Sequence, residues 1–215
     1  MFHKRISVSV AIATLVVAST AGIVFLEVKK RAQHVNATTL KSEQALQFEI
    51  PNAEWEPLFF KALEERTKKL NLPGLRTIVL PEHDLEVRFW YDGRPQVING
   101  FVIRRRGDQW SAFRIRQTNE GEPVQVREET LPMPKSGWEA AWQKLVNAGI
   151  LTLPDGWSNK RCHSGVLDGG GYVIETNVNK VYRTYMYANP QLANCDEAKE
   201  ALLIEKIISE EFRLA

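Results

Sequence analysis

The chain has 215 residues, with 28 Lys and Arg against 26 Asp and Glu and a net charge of +2. That length holds one domain of ordinary size, and the near-zero charge excludes the broad basic footprint of a nucleic-acid binder, so no nucleic-acid partner is expected. Six Trp, five Tyr and nine Phe suit a packed globule rather than a disordered chain, and no repeat of solenoid or propeller period is visible.

Residues 6–26, opening on Ile6 and closing on Leu26, carry no charge over 21 positions. As a helix they reach roughly 30 Å, the thickness of a hydrocarbon core. Residues 1–32 therefore read as an N-terminal transmembrane helix or signal segment with basic flanks, and the chain is expected to meet the membrane through Ile6 to Leu26. Ser19-Thr20-Ala21 offers small residues for a cut that would release the rest of the chain. The apolar run continues past Ala21 to Leu26, which favours an uncleaved anchor. Lys4 and Arg5 flank one end and Lys29, Lys30 and Arg31 the other, so flanking charge does not set the orientation. Residues 33–52 are polar and without period, and read as a stalk; Asn36-Ala37-Thr38 matches a glycosylation sequon, a triplet that arises often by chance. Residues 53–215 then form a single globular domain.

Within that domain, Trp55, Leu58, Phe59, Ala62 and Leu63 make one apolar helical stripe, stopped at Leu72-Pro73-Gly74. A short strand is expected at 77–80, ended by Pro81, and another around Val87, Phe89 and Tyr91. Residues 97–106 and 109–117 form a hairpin turning at Gly107-Asp108, which sets Val102 opposite Phe113 and Ile103 opposite Ala112. Apolar residues on both sides of that hairpin predict a sheet covered on each face. Residues 124–127 add a strand. A second helix opens at Ser136, where Ser136 and Glu139 have capping-box spacing, buries Trp138, Ala141, Trp142, Leu145 and Val146, and closes at Gly149. A second hairpin joins 172–176 to 181–187. The last helix takes Asp196 as its N-cap and buries Ala198, Ala201, Leu202, Ile204, Ile208 and Phe212. Three helices and about six short strands without βαβ alternation predict an α+β fold with a mainly antiparallel sheet.

Cys162 and Cys195 are the only two cysteines. They have no CxxC or Cys/His spacing, so no metal site and no cofactor is expected. With an export-type start, the pair reads as a disulfide closing a loop of about 34 residues, worth roughly 3–4 kcal/mol in the chain-entropy model. That places the domain outside the cytoplasm, periplasmic or extracellular.

No HExxH, GxSxG, P-loop or GxGxxG spacing occurs, and no catalytic residue is assigned. Glu82-His83-Asp84 reads as a solvated turn, since neighbours on a strand point apart. Cys162-His163-Ser164 has a nucleophile's residues, but a disulfide removes the thiol. Asp168-Gly169-Gly170-Gly171 opens a strand rather than a helix, so it reads as a flexible entry to a hairpin or a place of close backbone approach rather than a phosphate cradle.

The arginines are the most distinctive feature. Arg88, Arg104, Arg105, Arg106, Arg114, Arg116 and Arg127 gather in the sheet region with Trp90 and Trp110. In the hairpin register Arg104 and Arg106 share a face, while Arg105 lies across from Trp110, in reach of a cation–π contact. Arg104, Arg105, Arg106, Trp110, Arg114 and Arg116 are the candidate binding residues, for an envelope protein, a glycan or an anionic headgroup. The plainer reading of the same arginines is a solvated sheet surface paired with Glu86, Asp92, Glu128 and Glu129. Tyr182, Tyr185 and Tyr187 with Arg183 allow the same argument. The expected function is a non-enzymatic binding module on the membrane. An envelope hydrolase using dispersed carboxylates such as Asp84, Asp168 and Glu175 is the competing class, and a structural part of a membrane complex the third.

Overall fold

A computed structural model describes residues 47–49, 56–91, 99–118, 125–166 and 169–214. The anchor or signal segment and its possible cut at Ala21 lie outside the described residues. Among the described ones, no helix is long and apolar enough to cross a membrane. The elements are β1 (Gln47–Glu49), α1 (Glu56–Lys69), β2 (Leu85–Tyr91), β3 (Asn99–Arg106), β4 (Gln109–Thr118), β5 (Gln125–Thr130), α2 (Trp138–Asn147), β6 (Gly171–Val178), β7 (Val181–Ala188) and α3 (Asp196–Glu211).

The fold is α+β: six antiparallel strands, β2 to β7, with three helices, and β1 added in parallel beside β7. The strand order is β1-β7-β6-β2-β3-β4-β5. Gln47–Glu49, in the stretch expected to be a polar stalk, supply that parallel edge. Two tight turns fix the registers. Gly107 takes a φ of 55°, the conformation glycine adopts without penalty at the first loop position of a two-residue hairpin. Asn179 and Lys180 both have positive φ, as a type I′ turn requires. The expected pairs Val102–Phe113, Ile103–Ala112 and Arg105–Trp110 all form.

Apolar residues cover both faces. On one, Val87, Phe89, Phe101, Ile103, Ile174 and Tyr185 pack with Leu145 of α2 and Ala198, Ala201, Ile204 and Ile208 of α3. On the other, Trp90, Val102, Ile115, Val173 and Tyr182 pack with Leu63 of α1 and the Leu70 and Leu75 that follow it. Trp55 and the side chains of Leu58, Phe59 and Ala62 lie outside the described ones. Leu202 is half-buried rather than core.

Several local expectations give way to tertiary partners. Residues 77–80 form no strand. Leu75–Thr77 is a 3-10 turn closed by Thr77 on the Gly74 carbonyl, and Asn177 Nδ2 donates to the carbonyls of Leu75 and Ile78, so a side chain takes acceptors that a sheet would use. The capping box at Ser136 is absent. Gly137 is the N-cap, the Ser136 N–H and hydroxyl both donate to Glu211, and Glu139 accepts from Trp110 Nε1 instead. Cys195, not Asp196, caps α3, its sulfur accepting the Ala198 N–H. Asp84 is buried rather than solvated and accepts the Gly107 N–H at 2.7 Å.

Glycine at position 100 is set by space. A Cβ there would lie 2.4 Å from the Phe89 carbonyl oxygen and 3.0 Å from the Trp90 ring. Gly100→Ala should therefore lower stability by about 1–3 kcal/mol, the usual cost of overpacking. A urea midpoint unchanged from the parent would contradict this packing.

Candidate functional site

Three consecutive arginines on β3 cannot share a face, because side chains alternate along a strand. The sheet register accordingly divides the basic cluster. Arg104 and Arg106 lie on the α1 face and close on one carboxylate, Glu86 of β2. Arg104 Nε donates to it at 2.8 Å and Arg106 Nη2 at 2.6 Å. Arg88 Nε donates to the same group at 2.8 Å. Glu86 is 1 % exposed and Arg88 0 %. Arg88 Nη2 also donates to the Pro73 carbonyl, tying the chain after α1 to the sheet. Burial alone would raise the Glu86 pKa, but the guanidiniums of Arg88 and Arg104 outweigh that and hold its carboxyl below the usual range. Arg104 and Arg106 are thus structural cations. Arg104 also covers the Phe113 ring at 4.7 Å.

Arg105 points to the opposite face. Its guanidinium lies 5.4 Å from the Trp110 ring centroid, and its Nε donates to the His83 carbonyl. Trp110 stacks almost parallel to Trp138 at 5.9 Å and tilts against Trp142 at 6.1 Å. All three indoles are half-buried. They close over an apolar crevice of ≈ 10 Å³, lined also by Ile103, Pro134 and Phe212, with room for about one water. The cluster is therefore a packed, partly exposed surface rather than a cavity. On the same face, Arg114 lies over Phe101 at 5.7 Å, and the exposed Arg116 stands opposite Arg127 in the β4–β5 register. Met133, which precedes Pro134 in the chain, is 64 % exposed.

Of the six candidate binding residues, Arg105, Trp110, Arg114 and Arg116 therefore share one face, and Arg104 and Arg106 leave it. Trp138 and Trp142 were legible as a helix stripe, but not as neighbours of Trp110. Arg88 was legible as a basic residue, but not as a buried one.

The remaining candidates are committed elsewhere. Tyr182, Tyr185 and Tyr187 are all buried and donate to Glu175, Ile150 O and Pro154 O, so they offer no binding face. Glu175 is buried and accepts from Trp90 Nε1 at 2.7 Å as well as from Tyr182. Asp168 lies outside the described residues, as does Asp92. Gly169 does meet the close approach expected of its stretch, since a Cβ there would collide with the Asn189 amide. Cys162 and Cys195 form a disulfide. His163 stacks on Trp157. Among the described residues, the one group with metal-ligand spacing is Cys162, Cys195 and Glu197.

Two buried carboxylates set most of the protein's acid limit. Glu86 is depressed as described. Glu211 is depressed too: burial would raise it, but Lys144 and the Ser136 N–H and hydroxyl prevail. A carboxylate whose folded pKa is lowered stabilises above its unfolded pKa of about 4.3, and that stability fades as pH falls. Asp155 works the other way, its pKa raised mainly by burial despite the N–H groups of Met186 and Trp157, so its protonation relieves a cost. The exposed Asp196 is lowered as well, by its hydrogen bond to Lys199, so with three groups against one the denaturant midpoint should drop between about pH 5 and pH 2. Glu86→Gln should flatten that drop, and an equally steep acid limb in the variant would contradict the assignment.

No protein-family model, curated protein or solved structure matches this chain.

Proposed function

We propose that the domain is a membrane-tethered, extracytoplasmic binding module that captures another envelope component, a protein or a glycan, through the Arg105–Trp110 step, Trp138 and Trp142, with Arg114 and Arg116 as its cationic margin. The observation that carries this reading is the row of three half-buried indoles capped by a guanidinium on a rigid hairpin and helix. Trp and Arg dominate binding hot spots because they bring large contact area and directional charge from few rotatable bonds. Side chains already fixed by stacking lose little further entropy when a partner docks. Arg104 and Arg106 have no part in this surface, because their charge is spent on Glu86. The tether rests on the uncharged stretch of residues 6–26, and the compartment on the Cys162–Cys195 disulfide.

Truncating Trp110 would disturb the indole stack and hence the fold, so the test uses the half-buried position 105 and the exposed position 116. A photo-cross-linkable residue at 105 or 116 should give a discrete adduct in native membranes, and one at the exposed Lys206 of α3 should not. With the cross-linker at 105, reversing the exposed Arg116 to Glu should cut the yield about tenfold or more, the effect of losing a contact worth about 1.4 kcal/mol, without lowering the melting temperature, because position 116 stands opposite Arg127. Equal adducts from all three positions, or none from 105 and 116, would sink the proposal.

A further inference from the structure

We infer that, once reduced, Cys162, Cys195 and Glu197 form a binding site for a thiophilic divalent cation of the zinc class. The two sulfurs and a Glu197 oxygen lie within 4.8 Å of one another. Glu197 Oε2 stands 3.7 Å from Cys162 Sγ. The sulfur of a disulfide carries no hydrogen, so nothing is donated across that gap. Two electron-rich atoms face each other there, an arrangement that a cation between them would make attractive. The other carboxylate oxygen, Oε1, is held at 3.1 Å by Asn159 Nδ2, which orients Glu197 and leaves Oε2 for the ion, as outer partners do at metal sites. Cys195 Sγ accepts the Ala198 N–H at the start of α3, which fixes that sulfur's position beside Glu197.

Two thiolates and one carboxylate suit zinc and its thiophilic relatives rather than magnesium or calcium, and leave a fourth position for water. The disulfide is the closed state of the site. Thiol–disulfide exchange with a dithiol of the thioredoxin class converts the Cys162–Cys195 bond to two thiols, and the dithiol leaves as its own disulfide. Binding of the cation then forms two metal–sulfur bonds and releases two protons.

The test uses the full chain in detergent micelles, either oxidised or reduced and freed of reductant, titrated with Co2+ alone. The reduced protein should bind one Co2+ with a thiolate-to-metal charge-transfer band, and the oxidised protein should show none. Asn159→Ala should weaken binding about 10–100-fold, the usual effect of losing an outer-shell hydrogen bond, and Glu197→Gln should weaken it at least as much. Zn2+ should also raise the melting temperature of the reduced protein, a readout that holds even where the reduced form is poorly folded. Absence of the band together with an unmoved melting temperature would overturn the site. So would an affinity unchanged in Glu197→Gln, which would mean only that two free thiols bind metal.

Discussion

Replacing Glu86 by Ala should cost about 3–5 kcal/mol, the largest loss expected of any single substitution in the sheet, because it strands a buried charge. Arg88 is 0 % exposed, and its Nη1 has no hydrogen-bond partner among the described residues even with Glu86 present. Without that carboxylate the guanidinium would keep only its hydrogen bond to the Pro73 carbonyl among the described residues. Arg104 and Arg106 would suffer less, since their side chains are 27 % and 39 % exposed and can turn to water. A second variant separates the charge from the packing. Glu86→Leu with Arg88→Met removes both buried ions and should recover most of the loss, because a well-packed apolar pair often matches a buried ion pair in stability. Urea midpoints of the two variants decide the matter. A single Glu86→Ala as stable as the parent would mean that the Arg88 charge is not buried.

The disulfide gives the second large effect. Changing Cys162 and Cys195 together to Ser should cost about 3–4 kcal/mol, the loop-closure entropy returned to the unfolded chain. For a domain of this size that is roughly 6–15 °C in melting temperature. The bond joins positions 33 apart in sequence, tying the 3-10 turn at Lys160–Cys162 to the first turn of α3. Serine is chosen because Cys195 is also the helix cap, and a Ser hydroxyl can take over the Ala198 N–H. The measured loss then reports the staple rather than the cap. A difference below about 1 kcal/mol would mean that the unfolded chain gains little freedom when the bond is absent.

The contrast between what could and could not be read in advance has a physical basis. The Gly107-Asp108 turn fixes the β3–β4 register, and a register fixes every cross-strand neighbour, so the Arg105–Trp110 contact was legible. The Glu86 hub was not. It depends on β2 lying between β3 and β6, a strand order that no local pattern encodes. For the same reason Arg104 and Arg106 looked like surface charge. The caps show a milder version of this problem. Ser136 and Glu139 have the right spacing for each other, but Glu211 and Trp110 compete for them from elsewhere in the fold. Thr77 and Ile78 have strand propensity, yet Asn177, about a hundred positions later, takes the carbonyls of Leu75 and Ile78. Trp138 and Trp142 kept the apolar spacing of a buried stripe while ending half-buried beside the hairpin. Spacing tells which residues share a side of a helix, not how completely that side is covered.

The proposed placement of a stapled domain on the oxidising side of a membrane is tested most directly by the state of Cys162 and Cys195 in native membranes. Thiols would be trapped by acid, the protein unfolded so that burial hides nothing, and free sulfurs then tagged with a mass-shifting maleimide. The predicted result is no tag before reduction and two tags after it. Two tags without reduction would mean free thiols in the cell. They would remove the staple from the stability argument and leave the proposed extracytoplasmic placement without its support.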